Sequence, residues 1–404
     1  MSSAVGSNAV VRRLDEALAE RTRANRTFFV RESERLARLC HRMAERFARG
    51  ARLVAFGQTP AARSDVRHVA VEFVHPVIVG KRALPAIGLA GEGGALEGQV
   101  DLVAEPDDIA IAFGAGDDGE TLAATALARG RGCLTIAFAP IGAEWELMPP
   151  SDDPSVRQEL VETLYHVLWE LVHVFFEHRG LLEGRQAHAV HDTGASSFLY
   201  PFLGEREHDL EGVVADVGRS ALAKAEEVAA LREQTLSENA AALAAAAAGL
   251  RRDLDAGGKL LAFGNGGSAT DAMDAVADFR EPPDRSWRPR RAIDLTEDAA
   301  ILTALANDIG VEAIFARQVI AYGRDGDAVL ALSTSGNSAN VISALAEARR
   351  RGLRTIAMVG YDGGRVAAER LADHVVVTRS EHIPRIQEAQ ASAYHVLREL
   401  VELE

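Results

Sequence analysis

Cysteine is nearly missing from this chain: its 404 residues hold two, Cys40 and Cys133. They lie far apart, with neither a CxxC nor a zinc-ligand spacing. That excludes a disulfide framework and points to a reducing compartment, so a cytoplasmic location is expected. Both read as buried small hydrophobes. Basic charge is also in short supply, with 44 Lys and Arg against 59 Asp and Glu and a net charge of −15. Non-specific nucleic-acid binding needs clustered cations, so no nucleic-acid partner is expected. The one basic run, RSWRPRR at 285–291, reads either as a solvated loop or as a contact for an anionic substrate tail. Long apolar runs are lacking as well. The longest, VETLYHVLWELVHVFF at 161–176, is too short for a bilayer and carries Glu162, His166, Glu170 and His173. It predicts a buried helix, and no membrane partner is expected. The first residues turn helical and charged at once, so no signal peptide is expected.

What is present is the make-up of a soluble globular protein, 48% apolar and 25% charged. The length exceeds one ordinary core and predicts two or three domains. Thirty-five glycines point to many tight turns or close backbone approaches.

The chain repeats itself. LVAFG at 53–57 and LLAFG at 260–264 each follow a long helical segment that ends in a glycine turn. DDIAIAFGAGDDGETLAATALARGRGCLTIAFAP (107–140) parallels DGDAVLALSTSGNSANVISALAEARRRGLRTIAMVG (325–360), and YHVLWELV (165–172) parallels YHVLRELV (394–401). Gly57 matches Gly264 and His166 matches His395, so the second copy has gained 22 residues in its connections. Growth confined to loops is expected of a duplicated domain. Each copy alternates helices with short continuous apolar strands, which predicts an α/β fold with a parallel sheet covered on both faces. Ligands in such folds sit at the carboxyl ends of the strands. The predicted boundaries are 10–178 for the first domain, 179–212 for a connector and 213–404 for the second. His178, His188, His191 and His208 cluster around the connector and read as solvated loop residues rather than a metal site.

Two turns of the second copy carry chemistry. LLAF runs into GNGGSATDAMDAVADF, where Gly264, Gly266 and Gly267 let backbone amides face outward at a helix N-terminus, with Asn265 and Ser268 beside them. Such a turn binds an anion, although it is equally common without one. The second turn, STSGNS at 333–338, places the hydroxyls of Ser333, Thr334, Ser335 and Ser338 beside exposed helix amides. That combination suits a phosphoryl group.

GNGGSA, NDIGVEAIFARQV (307–319), STSGNSANV and RIQE (385–388) with the later His395 resemble the sugar isomerase (SIS) superfamily, and within it the phosphoheptose isomerases. The resemblance spans about 220–404 nearly end to end and, more weakly, 10–178. It implies two tandem SIS domains, each a parallel β-sheet flanked by helices in a flavodoxin-like three-layer sandwich. In that family a metal, often zinc, is held by a His and a Glu four residues apart, by the Gln of RIQE and by a His eight residues later. The Glu moves a proton between C1 and C2, and the last His serves as acid for ring opening. Isomerisation needs such a base, together with a Lewis acid or donor for the enediolate. Asp308 matches a position lining the sugar site.

Copy two departs from this pattern, with Asp274 and Asp278 at the His and Glu positions, while Gln387 and His395 remain. Copy one departs the other way. Its turns, GQTPAARSD at 57–65 and GAGDDG at 114–119, have lost the phosphate cradle, and Asp117 and Asp118 would repel a phosphate. Yet it keeps His68, Glu72, Gln158 and His166 in the family spacing, His68 and Glu72 sharing one helix face. A bland reading, a solvated His68 and a core His166, stands against each residue singly.

The reciprocal losses predict composite sites, with His68, Glu72, Gln158 and His166 as metal ligands, Glu72 and His166 or Asp278 and His395 as catalytic groups, and copy two as the phosphate cradle. The expected function is conversion of sedoheptulose 7-phosphate to the heptose 7-phosphate aldose, with a divalent metal such as zinc as cofactor. A homodimer giving a four-SIS-domain assembly is expected. The alternative is a non-catalytic SIS protein, either a sugar-phosphate sensor or an assembly factor.

Overall fold

The computed structural model describes residues 2–76, 81–91, 93–177, 181–182 and 209–403. Most of the connector segment lies outside the described residues, as do His178, His188, His191 and His208. The chain divides into two compact units, one of residues 24–150 and 160–226, here the first unit, and one of residues 1–23, 151–159 and 227–404, the second.

The first unit begins within α1 (Ser2–Ala48) and continues through β1 (Leu53–Phe56), α2 (Pro60–Val74), β2 (Ala86–Leu89), α3 (Leu96–Val103), β3 (Ile109–Ala112), α4 (Gly119–Gly130), β4 (Leu134–Ala137) and β5 (Trp145–Glu146). It includes α5 (Pro154–Glu177) from residue 160 onward. Its sheet has the order β2-β1-β3-β4-β5, every pair parallel. LVAF, IAIA and LTIA are buried at every position, as inner parallel strands must be, whereas the edge strand AIGL is only half-buried. Helix α2 starts where Thr59 accepts a hydrogen bond from the Ala62 amide and Pro60 sets the first helical dihedral.

The second unit takes the later part of α6 (Leu210–Glu238), then α7 (Ala240–Asp255), β6 (Leu260–Phe263), α8 (Gly267–Arg280), β7 (Ala292–Asp294), α9 (Ala299–Asp308), α10 (Ile314–Tyr322), β8 (Ala328–Ser333), α11 (Ala339–Arg350), β9 (Arg354–Gly360), α12 (Gly364–Ala368), β10 (His374–Thr378) and α13 (Ile383–Glu402). Its sheet, again all parallel, runs β7-β6-β8-β9-β10. Numbered within each unit, both sheets have the order 2-1-3-4-5, the flavodoxin-like arrangement.

Strand alternation builds two cores in the second unit. Leu260, Ala262, Leu330 and Met358 face a cluster with Leu243, Leu250, Ala272 and Tyr394, while Leu261, Phe263, Val329 and Val359 face one with Phe315, Val319 and Val341. The apolar strands therefore need helices on both faces, which makes the unit three layers deep. Burial of each Leu or Phe contributes roughly 1.5–3 kcal/mol. Glycine at 264, where β6 turns into α8, has a steric cause: a Cβ there would lie 2.3 Å from the Ser268 carbonyl oxygen.

Candidate active site

Both glycine turns of the second unit lie at carboxyl ends of neighbouring strands, β6 and β8. Gly266 has φ +58° and caps α8, and Gly267 opens it. Ser268 is buried in its first turn. Gly336 has φ +61°, and a Cβ there would meet the Gly363 carbonyl at 2.3 Å, so only glycine fits. The Ser333 hydroxyl accepts from the Gly336 amide at 3.2 Å and the Ser335 hydroxyl from the Asn337 amide at 3.2 Å. Each hydroxyl still has its own proton to donate to an anion. Thr334 is half-buried beside them, and Ser338 stands at the N-cap of α11. Asn265 and Asn340 pair amide to amide across the two turns, at 3.0 and 2.9 Å. Sequence reasoning missed Asn340. Asp308 is exposed at the last residue of α9 and accepts from the Asn307 amide at 2.8 Å.

The acid–base groups of this unit meet around His395 on α13. Its Nδ1 lies 3.0 Å from Glu159 Oε1, and its Nε2 lies 3.2 Å from Asp274 Oδ2 and 3.5 Å from Asp278 Oδ2, both on α8. Tyr394 donates to Asp274 at 2.8 Å. Gln387 is buried on α13 one residue before Glu388. Burial alone would lower the His395 pKa, but its hydrogen bonds to Asp274 and Glu159 and the charge of Asp278 raise it well above the ordinary value. Burial pushes Asp278 up to about 7, an effect opposed by His395 and reinforced by Asp274. Burial would likewise raise Glu159, but Arg21, His395 and Arg232 outweigh it and hold that carboxyl below the usual range. Glu159, Arg21 and Arg232 carried no signal of their own in the sequence.

In the first unit His68 and Glu72 occupy one face of α2, with their nearest nitrogen and oxygen 3.9 Å apart. His166 on α5 brings its Nε2 to 3.3 Å from His68 Nε2. Ligand atoms from His68, Glu72 and His166 all lie within 4.8 Å of one another, and all three residues are buried. Burial, followed by the charge of His166, lowers the His68 pKa well below its ordinary value, so the ring is neutral. Two imidazoles converging with a carboxylate fit a divalent ion of the zinc type. Gln158 is counted with the other unit.

In the second turn of the first unit a carboxylate takes the helix terminus. Asp118 caps α4, accepting from the Thr121 amide at 3.2 Å and the Thr121 hydroxyl at 2.6 Å. A carboxylate of the chain thus occupies the helix terminus that an anion would use. The basic run is tied into the fold: Arg290 pairs with Asp255 and Glu402, and Arg398 stacks against Trp287 with its guanidinium 4.9 Å from the ring centre. Arg285 and Arg288 remain exposed.

The fold has counterparts among solved structures. The C-terminal domain of glucosamine-fructose-6-phosphate aminotransferase from Francisella tularensis superposes over 96% of this chain and 94% of its own, with a TM-score of 0.57 at 9% identity. Tagatose-6-phosphate ketose/aldose isomerase from Escherichia coli does so over 96% and 92%, with a TM-score of 0.57 at 14% identity. The SIS domain model matches residues 225–360. The two units share one parallel-sheet topology, and the SIS domain model falls on the later part of the chain. The phosphoheptose isomerase of Thermodesulfovibrio yellowstonii is 43% identical over 177 residues, which is 44% of this chain and 87% of that protein. That of Pelodictyon phaeoclathratiforme is 44% identical over 179 residues, 43% of this chain and 83% of that protein. The chain belongs to the phosphoheptose isomerase family of SIS-domain proteins, and by class it is an isomerase.

Proposed function

We propose that the chain interconverts the ketose and aldose forms of a sugar phosphate, with sedoheptulose 7-phosphate as the ketose, through an enediolate. The convergence of His68, Glu72 and His166 carries this reading, because it pairs a base with a Lewis-acid site in the manner that proton transfer beside a carbonyl requires. The phosphate binds the amides and hydroxyls of the turns at Asn265, Gly266, Gly267, Ser268, Ser333, Thr334, Ser335 and Ser338. Asp308 and Gln387 contact sugar hydroxyls. Zinc is the proposed ion, held by His68, Glu72 and His166; when bound it would polarise the sugar carbonyl. Glu72 moves the proton between C1 and C2, and His166 is the acid beside it. His395, hydrogen-bonded to Asp274 and close to Asp278, is the second acid–base pair.

The reciprocal losses of the two sequence copies support assigning the proton-transfer set to one copy and the phosphate cradle to the other. The homodimer that would assemble four SIS domains, and a cytoplasmic location, belong to the same proposal. Turnover of sedoheptulose 7-phosphate by the purified chain, with zinc content measured in parallel, tests it. No turnover on any heptose or hexose phosphate, with no bound metal, overturns it.

A further inference from the structure

His395 is held from behind by a carboxylate that comes from the other end of the chain. Glu159 lies 236 residues upstream, within the stretch that repeats the RIQE segment, yet residues 151–159 fold into the second unit. There its carboxylate is bound on several sides. Arg21 Nε donates to both oxygens at 3.0 Å and Arg21 Nη2 donates at 2.8 Å. Ser392, on the same helix as His395, donates to it as well. The Glu159 carbonyl accepts from Arg232 at 3.3 Å. An ionised carboxylate only accepts hydrogen bonds, so His395 must donate to it through Nδ1–H.

With Nδ1 committed, the ring is locked with Nε2 toward Asp274 and Asp278. Side-chain exposure is 1% for Glu159, 2% for His395 and 2% for Asp274, but 13% for Asp278. The chain of groups is closed at the Glu159 end and opens only at Asp278. We propose that Glu159, clamped by Arg21, is the positioning residue for His395, supplied by the N-terminal half of the chain to the acid–base pair of the C-terminal half. Its place behind the ring matches the carboxylate that orients the imidazole in a nucleophile–His–Asp arrangement, which fixes tautomer and direction without touching substrate. The degenerate first copy is thus kept for more than its own ligands: the second copy's histidine depends on it.

The catalytic consequence rests on the isomerase reading, so the test has an arm that does not. Full-length protein labelled with ¹⁵N-histidine should show a downfield Nδ1–H proton signal, assigned to His395 by its absence in His395→Asn. Glu159→Gln should shift that signal upfield. The same substitution should lower kcat, by as much as about 10⁴-fold if the tautomer is lost as in that arrangement, with KM little changed. It should cost nothing further in a His395→Asn background. Glu159→Asp, which keeps the charge, should restore part of both, and Ser392→Ala should give a smaller shift of the same sign should Glu159→Gln not fold. An unmoved signal in Glu159→Gln, or in Ser392→Ala if that is the folded variant, overturns the proposal. So does a kcat loss that adds fully to that of His395→Asn. A shifted signal in a protein that turns over no sugar phosphate leaves the positioning intact and overturns the isomerase reading instead.

Discussion

Asn265 and Asn340 exchange two hydrogen bonds, 3.0 and 2.9 Å long, and so tie the turn after β6 to the first turn of α11. The two glycine turns are therefore one mechanical unit. Removing the pair lets them separate, and each lost hydrogen bond is worth about 0.5–1.5 kcal/mol. Asn340→Ala should weaken inorganic phosphate or sugar-phosphate binding roughly 5- to 150-fold by calorimetry, from two such bonds. Asn340→Asp should weaken it further, because it adds a negative charge beside the phosphate. Unchanged affinity in both variants would show that the turns hold their shape without the bridge.

The metal reading makes a separate demand. His68→Ala and Glu72→Ala should each lower the zinc recovered per chain by elemental analysis, and turnover should fall by about 10²–10⁴-fold where Glu72 is the base. Dialysis against a chelator should lower the unfolding midpoint of the parent protein, since an ion present at a thousandfold its Kd adds about 4 kcal/mol. The same dialysis should leave His68→Ala unmoved. Equal zinc content in parent and variants removes the site.

Much of the fold was legible because it is built from short continuous apolar runs. LVAF, LLAF and AVLALS are buried at every position, and only a parallel sheet covered on both faces accommodates that. The STSGNS turn was legible too, since hydroxyls and glycine concentrate at a strand end. Glu159 was not. Nothing near it in sequence marks a carboxylate that will meet Arg21, Ser392 and His395, which lie 138, 233 and 236 residues away. The one available sign was the repeated Gln–Glu pair, Gln158–Glu159 and Gln387–Glu388, and there the glutamine draws attention as a ligand type. Asp118 illustrates the opposite case. Its charge was legible as hostile to phosphate, but its use as the cap of α4 needed the coordinates.

The two thiols give a simple check on packing. Cys40 is buried under α5, with its sulfur 3.9 Å from the Leu168 carbonyl, and burial raises its pKa far above the ordinary value. Burial also raises Cys133, with the charge of Asp108 adding to the effect. The thiolate is the reactive form, so neither should be alkylated by iodoacetamide at neutral pH while the protein is folded. Both should react in denaturant. Fast labelling of either in the native state would mean that the helices around it open far more readily than their packing implies.

Asp278 gives the pH dependence its sign. Its carboxyl is pushed from 3.8 up to about 7, first by burial and then by Asp274, against the pull of His395. A group that holds its proton more tightly when folded contributes stability that is complete below its unfolded pKa and is lost as pH climbs to the folded one. For Asp278 that window runs from 3.8 to about 7. Two neighbours stay fixed across its upper part. His395, raised well above 6.5, loses its contribution only at higher pH, and Glu159, held below 4.5, loses its own only in acid. Asp278→Asn imitates the protonated carboxyl at every pH. Its unfolding midpoint should therefore match the parent near the acid end of the window, then exceed it increasingly as the pH climbs to about 7, above which the difference levels off. The step belongs to the His395, Asp274 and Asp278 cluster as a whole, so a His395→Asn background should displace it upward, where the opposing cation is gone. Parallel midpoint curves for parent and Asp278→Asn between about pH 4 and 8 would show that Asp278 ionises as an ordinary surface carboxylate.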